Sequence, residues 1–136
     1  MSKFFIDTSV ILRLLIKDDE AKIKSCLELI KNANERESSL YLLPVAILEI
    51  VWVLEKVYKY QRQDIVEMVE AILNTPGIKI EHEEVFRKAL TAYATKNIKF
   101  ADAVMGYWGL EKGFTTVYTY DEKDFKKIEG LEVKKP

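Results

Sequence analysis

Short β-prone runs alternate with longer segments of helical periodicity, and this alternation constrains the fold more than any other feature. Residues 3–6, 40–43, 78–80, 116–120 and 131–133 read as strands. Residues 10–16, 21–34, 45–58, 63–73, 83–95 and 103–111 read as helices, with one more turn over 124–128. Ile23, Cys26, Leu27 and Ile30 make one apolar face, and Val85, Phe86, Ala89, Leu90 and Tyr93 another. Thr8 or Ser9 suits the N-cap of the first helix, and Pro44 the first turn of the third. Pro76-Gly77 stops the fourth helix and Gly113 the sixth. Strands separated by helices imply a parallel α/β sheet covered on both faces. The N-terminal strand is expected to be buried. In such sheets ligands bind beyond the carboxyl ends of the strands, where Asp7 and Asp121 stand.

Composition narrows the chemistry. The chain has 136 residues, 49% of them apolar, which suits one folded domain over residues 1–136. No apolar run reaches the roughly 18 residues of a membrane span, and no signal segment opens the chain. Cys26 is the only cysteine, which excludes an intrachain disulfide and fits a reducing cytoplasm. His82 is the only histidine, which argues against a His/Cys zinc site and a Ser-His-Asp mechanism. A net charge of −1 leaves no global basic field, so a nucleic-acid substrate would have to be held by local cations.

Four carboxylates stand in apolar surroundings: Asp7 after Phe4-Phe5-Ile6, Glu49 inside Val45–Leu54 (residues 45–54), Asp102 in Phe100-Ala101-Asp102-Ala103-Val104, and Asp121 after Val117-Tyr118-Thr119-Tyr120. A lone buried carboxylate is costly unless it is paired, protonated or bound to a metal. Taken singly, each has an ordinary explanation. Asp7 and Asp102 suit the N-caps of the helices that follow, and Asp121 suits a turn. Glu49 resists such a reading: its helical neighbours are Val45, Ala46, Trp52 and Val53, none of them basic. It is therefore expected to be buried with a distant partner or to face a cleft. Taken together, acids without His or Cys suit Mg²⁺ or Mn²⁺. Without a cation such a cluster repels itself, so some of its members are expected to hold protons at raised, coupled pKa values. With one, metal-activated water becomes the available route to hydrolysis.

The segments Ile6-Asp7-Thr8-Ser9-Val10, Leu48-Glu49-Ile50-Val51-Trp52-Val53-Leu54, Phe100-Ala101-Asp102-Ala103 and Val117-Tyr118-Thr119-Tyr120-Asp121-Glu122-Lys123-Asp124-Phe125 occur in this order across almost the whole chain. In this the chain resembles PIN-domain proteins, and within them the VapC-type toxins of prokaryotic toxin–antitoxin pairs. The resemblance implies a three-layer α/β sandwich with a short, mostly parallel central sheet flanked by helices. It also implies an Mg²⁺- or Mn²⁺-dependent endoribonuclease, with Asp7, Glu49 and Asp102 as core acids, Asp121 as the fourth, and Thr8 and Thr119 as neighbouring hydroxyls. A cognate antitoxin and a homodimer belong to the same implication. Met105-Gly106-Tyr107-Trp108-Gly109 departs from the family's alanine-rich helix.

Strand periodicity would point Thr119 and Asp121 the same way, although Thr119 also suits a plain β-branched strand residue. Asp124 reads as a solvated turn residue with an outer-ligand role as the alternative. For RNA, Arg13 stands first among the cations, ahead of Lys17, Lys96, Lys99, Lys123, Lys126 and Lys127, all of which also suit a solvated face. Trp52, Tyr58, Tyr60, Tyr107 and Trp108 suit core or subunit packing better than the base stacking they could also provide. The apolar helix around Glu49 suits a dimer interface or a core helix. His82 suits a helix start. Competing functions are a catalytically silent module binding RNA or protein, a phosphoryl-accepting receiver domain, and a DNA-directed nuclease. A receiver does not place an acid mid-helix as Glu49 is placed.

Overall fold

The computed structural model describes residues 3–36 and 38–136. Its contacts gather into two compact units, Met1–Glu81 and His82–Pro136.

The N-terminal unit runs β1 (Lys3–Phe5), α1 (Thr8–Ile16), α2 (Glu20–Glu35), β2 (Ser39–Leu42), α3 (Pro44–Lys56), α4 (Arg62–Leu73) and β3 (Ile78–Ile80). The strands form one parallel sheet in the order β1-β2-β3, with Phe4 opposite Leu40 and Leu40 opposite Ile78. Parallel neighbours need long crossovers, and the helix pairs α1–α2 and α3–α4 supply them. Central β2 buries Leu40 and Leu42. Strand β1 departs from expectation. Phe4 and Phe5 are 54% and 72% exposed, and among the described residues of this unit β1 bonds to β2 along one edge only. Burial begins at Ile6, whose N–H donates to Tyr41 O at 2.9 Å. Before β3 the chain turns at Gly77 with φ +93°, where a Cβ would lie 2.8 Å from Ile30 O. Only glycine serves there.

Helix α3 buries Ile47, Ile50, Val51 and Leu54 and leaves Val45 and Trp52 exposed. It is thus half-buried rather than deep all round. Helix α2 also departs in part: Ile30 is buried, but Leu27 is 55% exposed. Ile23, Leu27 and Ile30 line an open groove of about 780 Å³ with Ile11, Leu14 and Met68.

The C-terminal unit runs α5 (Glu83–Thr95), α6 (Phe100–Glu111), β4 (Thr116–Tyr118), α7 (Glu122–Phe125) and β5 (Glu132–Lys134). Strands β4 and β5 pair in parallel, Val117 opposite Val133. The face predicted for α5 is its buried one, and Tyr93 meets Phe100 edge-on at 5.8 Å. His82 caps α5 in a left-handed conformation (φ +58°). Two boundaries matter for the acids. Helix α6 starts at Phe100 rather than Ala103, so Asp102 lies inside the first turn and is not the N-cap. Strand β4 ends at Tyr118, so Thr119 and Asp121 do not alternate along a strand.

Candidate functional site

In the N-terminal unit, Asp7 is the N-cap of α1, a position the sequence also assigned to Thr8 or Ser9. Its Oδ2 accepts from Ser9 Oγ at 2.8 Å and from Ser9 N at 3.4 Å. The Ser9 hydroxyl, and then its amide, hold the Asp7 carboxyl below its ordinary pKa, so it is a stable anion at the mouth of a helix. Thr8, next to it, is buried as the first residue of α1. Arg13 is engaged: its guanidinium pairs with Asp18 at 3.0 Å. Glu49 is exposed, so it is not the buried carboxylate that the first of its two expected readings required. The buried side of α3 is taken by Ile47, Ile50, Val51 and Leu54, and Glu49 shares the outward side with Val45 and Trp52, at i−4 and i+3.

In the C-terminal unit, the acids gather. Asp102 is half-buried, and its pKa is raised first by burial, then by the charge and hydrogen bond of Asp124, with Asp121 adding a further push. The nearby Lys99 charge works the other way. Lys99 Nζ also stands 3.9 Å from Asp121 Oδ2, an exposed and weak pair. Asp121 is exposed and begins α7, and its carboxylate makes no capping bond there. Thr119 is committed to the backbone of Asp121. Its Oγ1 accepts from Asp121 N at 2.9 Å and donates to Asp121 O at 3.2 Å. It therefore shapes the turn that presents Asp121 and does not orient the carboxylate itself.

The sequence reading misjudged Asp124. It is helical and 6% exposed, and its Oδ2 accepts from Lys99 N at 2.9 Å across 25 residues of sequence. No local pattern announces a bond of that span.

The expectation that all four acids are buried fails: Asp7, Glu49 and Asp121 are exposed. Exposure removes the desolvation argument for a cation but leaves the carboxylates open to one. Among the described residues of either unit, no three His, Cys, Asp or Glu side chains stand as a ready-made metal cage. The donor chemistry still fits a hard cation. Oxygen ligands alone are present, and Asp102 is crowded by like charge that a cation would relieve. Mg²⁺ keeps several waters and needs few protein ligands, so a full cage is not required.

A model of the PIN domain family matches residues 4–131. The chain belongs to the PIN domain family. A VapC ribonuclease from Aquifex aeolicus (strain VF5) is 28% identical over 123 residues, 90% of this chain and 90% of that protein. A crystal structure of VapBC2 from Rickettsia felis, bound to a DNA fragment from their promoter, aligns over 98% of both chains at 14% identity with a TM-score of 0.41. Family membership establishes the PIN-type α/β fold that the resemblance implied.

Proposed function

We propose that this protein is a divalent-cation-dependent endoribonuclease that hydrolyses RNA phosphodiester bonds as the toxin of a toxin–antitoxin pair. The observation that carries the reading is its likeness to a VapC ribonuclease over 90% of each chain. Asp7, Glu49, Asp102 and Asp121 are the proposed catalytic acids and the ligands of Mg²⁺ or Mn²⁺. When bound, such a cation supplies a more acidic water and neutralises charge on the phosphoryl and leaving oxygens. The protein's own part is to present anionic oxygens. Ser9 holds Asp7 ionised, and the Thr119 hydroxyl fixes the turn that carries Asp121. Thr8 is buried beside Asp7 as the first residue of α1. Arg13 can meet an RNA phosphate by exchanging its exposed bond to Asp18.

The family model runs through both units, which supports treating residues 1–136 as one functional domain. A cytoplasmic setting and a cognate antitoxin follow from the toxin reading. No helix is long and apolar enough to cross a membrane among the described residues. The open apolar groove along α1, α2 and α4 suits an amphipathic antitoxin segment. The alternative is a catalytically silent PIN module that binds RNA or protein, favoured by the lack of a ready-made three-acid cage among the described residues.

One experiment separates the two. Mixed RNA is incubated with wild type and with Asp7→Asn, each with Mg²⁺, Mn²⁺ or EDTA, beside a DNA control. The nuclease cuts RNA only with metal, and Asp7→Asn is slower by about 100-fold or more, at least the loss seen for a metal's outer partners. Equal RNA binding by both proteins, with no cleavage under any condition, would establish the silent module.

A further inference from the structure

We infer that Asp124 is a positioning residue for Asp102: it occupies the N-cap amide of α6 that Asp102 would otherwise take, and so leaves the Asp102 carboxylate available. This rests on the nuclease reading for its purpose but not for its geometry.

Lys99 is the N-cap of α6 and makes no side-chain cap bond of its own. Counting from it, Phe100, Ala101 and Asp102 are the first three helical residues. In the capping box a Glu or Gln at the third position folds back onto the N-cap N–H, and Asp carries the same carboxylate one carbon nearer the backbone. Asp102 is at that position. Here the amide is already taken, because Lys99 N donates to Asp124 Oδ2 at 2.9 Å. The acceptor comes from α7, and Asp124 is buried, so the bond is shielded from water. Two further bonds hold the same turn in place. Lys96 Nζ donates to Lys127 O at 3.3 Å, and Lys127 Nζ donates to Asn97 O at 3.3 Å. The Asp124 carboxyl also lies beside that of Asp102. The capping is thus delegated to a remote residue, and the acid on α6 is aligned without being used up.

The test reads Mn²⁺ affinity by calorimetry, not cleavage. In Asp124→Ala, Asp102 turns onto the vacated Lys99 N–H, and Mn²⁺ should bind about tenfold more weakly. Lys99→Pro removes that N–H, and Lys99 already has a proline-like φ of −58°. The double variant Asp124→Ala/Lys99→Pro should therefore recover to within about threefold of Lys99→Ala, which controls for the lost ammonium. A merely structural Asp124 gives no such rescue. Wild-type affinity in Asp124→Ala, or a double variant no tighter than Asp124→Ala/Lys99→Ala, overturns the inference.

Should Asp124→Ala fail to fold, hydrogen exchange of the Lys99 amide decides. Its protection should persist in Asp102→Asn, and its loss there would make Asp102 the cap and end the proposal. If wild type binds no Mn²⁺, the nuclease reading falls while the exchange result still stands on its own.

Discussion

Asp102 carries an electrostatic burden whenever no cation is present. Burial, Asp124 and Asp121 raise its pKa above the ordinary 3.8, so the folded protein favours the protonated acid. Its favourable contribution is complete below pH 3.8 and is lost as pH rises through the raised value. At pH 7 in EDTA, Asp102→Asn should therefore melt higher than wild type. The gain should vanish below pH 3.8, and excess Mn²⁺ should reverse the order by stabilising wild type alone. Thermal melts at two pH values check this, and a lower melting point for Asp102→Asn at pH 7 in EDTA would refute it. Asp7 behaves in the opposite sense. Ser9 lowers its pKa, so its contribution is present above 3.8 and fades as pH falls through the lowered value. That Asp7 caps α1 was legible as one of two readings of an Asp before a helix. That Ser9 answers it was not, because several local hydroxyls compete for the same oxygen.

Helix α6 shows how an element's composition can look wrong until its neighbours are known. Its two glycines are not equivalent. A Cβ at Gly106 would collide with Ile128 Cδ1 and lie 3.2 Å from Leu131 Cδ1, whereas one at Gly109 would meet nothing within 4 Å. Gly106 is therefore a packing site for the segment between α7 and β5, and Gly109 is simply a weak helix former. Gly109→Ala should stabilise by up to about 1 kcal/mol through helix propensity. Gly106→Ala must add to that gain an overpacking penalty of about 1–3 kcal/mol, since Ile128 is buried. Urea unfolding should rank Gly109→Ala above wild type and Gly106→Ala below it; equal effects would remove the packing role. Trp108, between the two, lies against His82 with ring centres 4.4 Å apart, which explains an aromatic there without RNA.

For the whole molecule, helix periodicity and strand order translate well into architecture, and exposure does not. On α3, one turn beyond Glu49, Trp52 is exposed, and a homodimer of the proposed toxin would have reason to cover Trp52 while leaving Glu49 open to the cation. Trp52→Lys should shift the protein from the mass of two chains to that of one in size-exclusion chromatography with light scattering. An unchanged mass would place the subunit contact elsewhere. The sequence by itself determined the type and order of the elements, that the strands are parallel and, through the order of its motifs, the family. These depend on local propensity, on periods of 2 and 3.6, and on motif order, all carried by neighbouring residues. Only the tertiary structure decided that Phe4 and Phe5 of β1 and Glu49 of α3 are exposed, and that α6 begins before Asp102. It alone showed that a buried Asp124 holds the Lys99 amide from 25 residues away. Those outcomes depend on which surfaces meet once the chain has closed on itself, and residues distant in sequence compete for each backbone donor in a way no local pattern records.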